Sequence, residues 1–228
     1  MDEQLISIIE LNDRGLAMMR HGDYSGAGVF LRNALECLEA NYQFDLYSDQ
    51  TIDNDIRLPF EVSPPLAGPT HAGHRCHEES EIGVFDRGIR FSPKDFTEAI
   101  DHSECVKLCT AIALHYNLAL CLHLQALVTP QNQTLHLETA RTIYQMACGL
   151  LDSSMDQREA LVLQFALMNN LASINAQLFD VREAQRWLED LRFSYWSDAG
   201  ELEQHEREMF RSNLVASTWY IHRPSAAA

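Results

Sequence analysis

Residues 105–128, CVKLCTAIALHYNLALCLHLQALV, form one apolar stretch with a single charged side chain, Lys107. The length of the stretch and its lack of turn residues predict one long helix. A helix without a charged face must be buried against neighbours on more than one side. We therefore predict that this helix lies at the centre of an all-α protein and that the rest of the chain packs around it.

The same stretch is the only candidate for a membrane-spanning helix, because residues 108–128 are long enough to cross a bilayer. Four polar side chains interrupt it, namely His115, Asn117, His123 and Gln125. Each would be costly in hydrocarbon without a partner, so we favour a buried helix over a membrane span. The first residues are acidic and lack a basic leader, so we expect no signal peptide and a cytoplasmic location, with a nuclear one as the alternative.

The composition narrows the classes of partner. The chain has 228 residues, with 33 acidic and 17 basic side chains and a formal net charge of −16. Such a surface repels nucleic acid and anionic lipid, so we expect neither of them as a partner, whereas a basic protein would be attracted. Most of the six cysteines fall within apolar helical patterns, which is typical of a reducing compartment and not of a disulfide framework.

Helical periodicity continues on both sides of an irregular insertion. It predicts three helical hairpins and a capping helix, over residues 4–40, 103–151, 157–194 and 200–221. Residues 41–101 are rich in Asp and Pro and show no sustained helical period, so they form the insertion. Within it, residues 82–91 place a Gly-containing turn between two β-prone runs and predict a small β-ribbon. We expect a single domain over residues 1–228.

Internal repetition links the three hairpins. The first copy consists of Gly15, Ala17, Gly22-Asp23-Tyr24, Ala27 and Ala34-Leu35. The second copy consists of Asn117-Leu118-Ala119, Ala140, Tyr144 and Ala147. The third copy consists of Asn170-Leu171-Ala172, Phe179-Asp180, Ala184, Leu188 and Leu191. A small residue at a helix crossing allows close approach, which a large side chain at Gly15 or Ala27 would prevent. Three repeats are about the minimum that can bury a continuous core. The last helix carries Glu201, Glu203, Glu206 and Glu208 on one side, which predicts the polar outer face of a terminal cap.

This pattern resembles the tetratricopeptide repeat, and more specifically eukaryotic TPR-like proteins that carry an NLA or NNLA helix after an irregular insertion. The resemblance covers about half of the chain. It implies antiparallel hairpins stacked as a short right-handed superhelix. The insertion over residues 41–101 and the extra residues around 129–134 depart from the family pattern.

The resemblance also implies that the first helix of each hairpin lines a concave groove that binds a protein or peptide. The matching positions are Asn12, Leu16, Met19, Arg20, Tyr116, Asn117, Leu120, His123, Asn169, Asn170, Ser173 and Gln177. The polar ones among them could bind the backbone of an extended or helical peptide. The alternative is that Asn117 and Asn170 bond only within the protein, because buried amides are normally satisfied internally.

The insertion contains four candidate metal ligands, His71, His74, Cys76 and His77, in the run HAGHRCH. They lack the paired spacing of known zinc ligands and a second half-site, so we favour a solvated His-rich loop and predict no metal and no cofactor. The sequence has no nucleophile elbow, phosphate loop, HExxH motif or dinucleotide fingerprint.

These observations predict a non-enzymatic protein–protein interaction module, or scaffold, whose partner is a protein or peptide, by charge a basic one. The alternative is a metal- or redox-responsive regulator that uses residues 71–77. An enzyme on an α-helical scaffold is a third hypothesis. The sequence makes no prediction of oligomeric state or of the partner's identity.

Overall fold

A computed structural model describes residues 3–41, 60–66, 83–92, 104–151 and 158–222. In these residues the protein is mostly helical, with seven α-helices and one two-stranded sheet. The elements are α1 (Glu3–Arg20), α2 (Tyr24–Asn41), β1 (Phe60–Pro65), β2 (Arg87–Phe91), α3 (Glu104–Val128), α4 (Gln133–Leu150), α5 (Arg158–Gln177), α6 (Val181–Asp198), a short 3-10 helix (Ala199–Glu201) and α7 (Gln204–His222). The prediction of a mainly α-helical protein is confirmed.

Helices adjacent in the chain pack as hairpins, α1 with α2, α3 with α4 and α5 with α6. The hairpins also pack on each other in chain order, through α2 with α3 and α4 with α5, and α7 packs on α6. The first and third hairpins turn in the same way: Gly22 and Phe179 have positive φ, and the following Asp23 and Asp180 cap the next helix by accepting hydrogen bonds from the N–H groups of Gly26 and Glu183.

The close approach predicted at Gly15 is present between α1 and α2. A Cβ atom at Gly15 would lie 2.7 Å from Cγ of Leu31, nearer than side chains in contact can come. Ala27, at the facing position of α2, is fully buried. The small residue of the repeat is therefore required because the two helix backbones approach too closely for a side chain between them.

Helix α3 is the buried central helix that its composition predicts. Between Val106 and Leu124 almost every side chain is buried, including Tyr116, Asn117 and His123. In the described part of the chain, Val106–Val128 alone is long and apolar enough to cross a membrane, but 72% of its most apolar window is buried inside the protein. Its apolar character is thus accounted for by contacts with neighbouring helices.

The small β-ribbon exists, but its pairing differs from the prediction. Residues 83–91, the described part of that stretch, do not fold back on themselves; instead β2 pairs antiparallel with β1, placing Phe91 opposite Phe60 and Ile89 opposite Val62. A register irregularity follows between Val62 and Pro65. The remainder of the predicted insertion, residues 42–59, 67–82 and 93–103, lies outside the described residues.

Helix α7 differs from a simple polar cap. Glu206, predicted on the exposed face, is 2% exposed, and its carboxylate accepts a hydrogen bond from the backbone N–H of Glu203 at the start of the helix. This is half of a capping box, which explains why an acidic side chain is buried there. Two turns further along the helix, Asn213 is also buried and faces the chain that precedes β2.

Candidate functional site

The extended residues Gly83–Phe91, called here the inner segment, cross four helices in turn. Gly83 contacts α7 and α5, Phe85 contacts α5 and α3, and Ile89 contacts α3 and α1. The segment therefore passes α7, α5, α3 and α1 in the reverse of their order in the chain. Helices α1, α3 and α5 are the first helices of the hairpins, which the sequence analysis assigned to a groove, whereas α7 is the helix that it predicted as a terminal cap.

Three asparagines each bind both backbone groups of one residue in the inner segment. Oδ1 of Asn213, Asn170 and Asn117 accepts from the N–H of Gly83, Phe85 and Ile89 at 3.2, 2.7 and 2.8 Å. Nδ2 of the same side chains donates to the carbonyls of the same residues at 2.9, 3.2 and 2.7 Å. A carboxamide has an acceptor and donors side by side, so it matches the N–H and C=O of one extended residue.

Further donors from the same helices complete these contacts. Asn169 and Asn12 donate through Nδ2 to the carbonyls of Gly83 and Ile89, at 2.9 and 3.0 Å. The Tyr116 hydroxyl lies 3.1 and 3.0 Å from the carbonyl oxygens of Phe85 and Arg87. We call the set Asn12, Tyr116, Asn117, Asn169, Asn170 and Asn213 the asparagine ladder. All of its side chains are buried, so their hydrogen bonds are sheltered from water.

The ladder contacts one edge of the inner segment and β1 contacts the other. Residues 83, 85, 87 and 89 bond to the ladder, whereas the N–H of Gly88 donates to Oγ of Ser63 at 3.0 Å and Leu66 donates to the carbonyl of Asp86 at 2.7 Å. Alternate residues of an extended chain direct their peptide groups to opposite edges. The ladder thus replaces the second neighbouring strand that an interior strand would have.

Three side-chain positions of the inner segment also make specific contacts. The ring of Phe85 stacks on Phe210 at a centroid distance of 5.1 Å and an interplanar angle of 13°. A Cβ atom at Gly88 would overlap the side chain of Leu16. Arg90 makes a bidentate ion pair with Asp13, with Nε to Oδ1 at 3.0 Å and Nη2 to Oδ2 at 3.1 Å, which raises the pKa of Arg90.

The structure brings together five of the polar groove residues predicted from the sequence, Asn12, Tyr116, Asn117, Asn169 and Asn170, and they bind the protein's own inner segment. Four others make no described hydrogen bond to this segment. Arg20 is exposed, and Gln177 donates to Oγ of the buried Ser173 at 3.2 Å. His123 is buried beside the ring of Tyr144, with ring centroids 6.1 Å apart.

The titratable groups in this interior favour their neutral forms. Burial lowers the pKa of His123 to about 4, although the nearby Gln177 side chain acts in the opposite direction. Among the described residues neither ring nitrogen of His123 has a hydrogen-bond partner. Burial raises the pKa of the Tyr116 and Tyr144 hydroxyls well above the usual value and that of the Cys121 thiol to about 12.

Asn213, Asp13 and the inner segment itself were not identified as site components from the sequence. A signal for Asn213 exists, because Asn-Leu occurs at 117–118, 170–171 and 213–214, each time on a helix that contacts the inner segment. Matching Gly15 to Ala119 and Ala172 places Asp13 at the corresponding position of α1. The recurring position thus carries a side chain that binds the segment in all four helices.

No group of three or more His, Cys, Asp or Glu side chains that could hold a metal ion occurs in the described ranges. The four candidate ligands predicted from the sequence, His71, His74, Cys76 and His77, lie outside these ranges. The metal- or redox-responsive alternative therefore remains a prediction from the sequence. Elemental analysis of protein purified without a histidine tag would test it, and substoichiometric zinc and copper would remove it.

Comparison of the chain with protein-family models, with curated proteins and with solved structures gives no match.

Proposed function

We propose that this chain is a non-enzymatic protein–protein interaction module in which an extended segment of a partner protein binds along the asparagine ladder. The observation that supports it is the paired binding of backbone N–H and C=O groups by Asn117, Asn170 and Asn213. Amides that contact only the backbone accept any extended segment whose side chains fit. Such contacts supply affinity for polypeptide chains in general, while neighbouring side-chain pockets supply specificity.

In this proposal the helices form a short TPR-like right-handed superhelix. Support comes from the order of packing, in which each hairpin contacts the next, and from the small residues at the crossings within hairpins. Gly15, Ala27, Ala172 and Ala184 are all buried at the positions where the repeat pattern requires them. The ladder then lies on the inner face, because every one of its members belongs to α7 or to the first helix of a hairpin.

A partner segment takes the place of the inner segment when it binds. The inner segment occupies the same backbone-binding groups, so a partner can bind only in the fraction of molecules in which the segment has left the ladder. The apparent affinity is reduced by that fraction. The acidic chain, with its net charge of −16, attracts a basic partner at long range and favours it over an acidic one.

The state of the buried groups supports a role without catalysis. A general acid or base works best with a pKa near the operating pH, whereas burial moves the pKa values of His123, Cys121 and Tyr116 away from neutrality. The thiols of Cys121 and Cys148, which form no disulfide in the described structure, support a reducing compartment, in keeping with a cytoplasmic protein.

Selection of random linear peptides, displayed on phage, against the immobilised full chain tests this function. We expect enrichment of peptides that lose binding to the double variant Asn170→Ala, Tyr116→Ala, because both residues bind Phe85. Circular dichroism is used to check that the variant remains helical, and Asn33→Ala, at an exposed asparagine of α2, is the matched control. Failure to enrich any peptide, or equal binding to the double variant, would contradict the proposal.

A further inference from the structure

The inner segment defines the chemistry of the partner that would replace it. We propose that the ladder binds a partner segment of the pattern aromatic-x-x-Gly-aliphatic-Arg, the pattern of Phe85–Arg90, and that the inner segment is an internal competitor for it. This inference rests on the proposed function and specifies its ligand. The alternative is that the inner segment is a permanent strand of the core, and the experiment below separates the two.

The aromatic position is defined by a stack of rings from different helices. Phe85 is completely buried, its ring lies parallel to that of Phe210, and Phe210 contacts Phe165 with centroids 5.3 Å apart. These two rings belong to α7 and α5, so the pocket exists only where the two helices meet. An aliphatic side chain would fill it less well than a planar ring, which gains the stacking contact.

The glycine position is defined by close approach to α1. A Cβ atom at residue 88 would overlap one terminal methyl group of Leu16, and it would lie 3.3 Å from Oδ1 of Asn117. Leu16 is 1% exposed and packed in the core, so it cannot move away freely. A partner segment with a larger residue at the position of Gly88 would be held away from the Asn117 side chain, which binds the following residue.

The last two positions of the pattern are a buried aliphatic residue, Ile89, and a charged residue, Arg90. Ile89 is 2% exposed and is bound by Asn117 and Asn12, so this position requires an aliphatic side chain. Arg90 extends to Asp13 on α1, and both carboxylate oxygens accept from its guanidinium. A planar guanidinium can make both bonds at once, which an ammonium cannot, so the position favours arginine over lysine.

The positions between these are bound through the backbone. The carbonyl of Arg87 accepts from Tyr116, and that of Asp86 accepts from the N–H of Leu66. The side chain of Arg87 is only partly buried, so a partner can vary at this position and keep the same hydrogen bonds, whereas the side chain of Asp86 is buried. The inner segment satisfies all requirements at high effective concentration because it belongs to the same chain, and a free peptide must compete with it.

Exchange of the segment in trans is the test. A fluorescent nine-residue peptide with the sequence of residues 83–91, GVFDRGIRF, is titrated into the full chain and into the Gly88→Val chain, and anisotropy is measured. We expect the peptide to bind the Gly88→Val chain at least about tenfold more tightly than the wild type, because the variant's own segment no longer fits against Leu16. Peptides with Gly88→Val or Arg90→Ala should bind about tenfold more weakly to the same variant.

A chain-side variant controls for the arginine position. Addition of Asp13→Ala to the Gly88→Val chain should remove the difference between the wild-type peptide and the Arg90→Ala peptide, while leaving the effect of the Gly88→Val peptide intact. If circular dichroism shows that the Gly88→Val chain is unfolded, the Arg90→Ala chain takes its place. Its own segment has lost only a partly exposed ion pair, and the wild-type peptide should raise its melting temperature more than the Arg90→Ala peptide does.

The outcomes separate this inference from the function on which it rests. Binding of the peptide without dependence on Gly88 or Arg90 would overturn the recognition pattern and leave the interaction module in place. Absence of binding to every folded chain, for this peptide and for the phage-selected ones alike, would contradict the module itself and would assign the inner segment to the core.

Discussion

Asn117 satisfies both backbone groups of Ile89, accepting from its N–H at 2.8 Å and donating to its carbonyl at 2.7 Å. One side chain on a helix thus makes the contacts that a neighbouring strand makes in a sheet. The arrangement recurs at Asn170 with Phe85 and at Asn213 with Gly83. An extended segment can therefore lie among helices without leaving its peptide groups unpaired, which burial would otherwise make costly.

Replacement of Asn117 by leucine, which has a similar volume, should lower the free energy of unfolding by about 2–4 kcal/mol, since a buried N–H is left unpaired and a carbonyl loses one of two donors. Urea denaturation followed by circular dichroism measures this. The matched control is Asn33→Leu, at an exposed position of α2, with an expected change within about 0.5 kcal/mol. Equal effects of the two substitutions would show that the ladder contributes nothing to holding the inner segment.

The ion pair between Asp13 and Arg90 should contribute modestly to stability. Its side chains are 33% and 41% exposed, so solvent screens the attraction, although the geometry is bidentate. A double-mutant cycle with Asp13→Ala and Arg90→Ala should give a coupling energy of about 0.5–1 kcal/mol at low salt, decreasing as salt is added. The pair Glu10 and Arg14, more exposed and 3.9 Å apart, is the control and should give a smaller coupling. A coupling independent of salt would contradict this account.

The helical part of the fold could be predicted from the sequence because it depends on local signals. The apolar period of residues 105–128, the small residue at Gly15 and the acidic caps at Asp23 and Asp180 all act within one hairpin or helix. Five ladder residues were also identified, because the repeat resemblance places them on the first helix of a hairpin.

The occupant of the ladder could not be predicted in the same way. The contact between Asn117 and Ile89 joins positions 28 residues apart, and that between Asn213 and Gly83 joins positions 130 apart. Periodicity contains no information about such pairs. The sequence of residues 82–91 does predict extended chain, but a strand bound by side-chain amides and a strand of a local hairpin have the same pattern. His123 was expected in the groove, but it is buried between α3 and α4. The sequence pattern does not predict this burial, because it depends on how the two helices pack.

His123 should make the protein sensitive to acid. Its pKa is lowered by burial from 6.5 to about 4, so the unfolded chain binds a proton more readily than the folded one. The free energy of unfolding is therefore highest above pH 6.5 and decreases as the pH falls from 6.5 towards 4. At pH 5 it should be lower than at pH 7 by about 2 kcal/mol.

Urea denaturation at several pH values measures this loss of stability. His123→Phe, which keeps a ring beside Tyr144, should flatten the profile between pH 7 and 5, whereas His21→Gln, at an exposed turn position, should not. An unchanged profile in His123→Phe would assign the acid sensitivity to other groups.

The turn at Phe179 should be improved by the residue that the first hairpin uses at the same place. Phe179 has a φ of 60° and is 88% exposed, and the corresponding Gly22 has a φ of 78°. A left-handed conformation costs a residue with a side chain about 1–2 kcal/mol, and glycine avoids this cost. Glycine has more conformational freedom in the unfolded chain, which offsets about 0.5–1 kcal/mol of that gain. Phe179→Gly should therefore stabilise the protein by about 0.5–1 kcal/mol, and Gly22→Ala should destabilise it by about 1 kcal/mol.

Thermal denaturation measures both, with Phe179→Ala as the control that removes the aromatic ring but keeps the strained backbone. A gain in Phe179→Ala equal to that in Phe179→Gly would show that the exposed ring, and not the backbone conformation, limits stability at this turn.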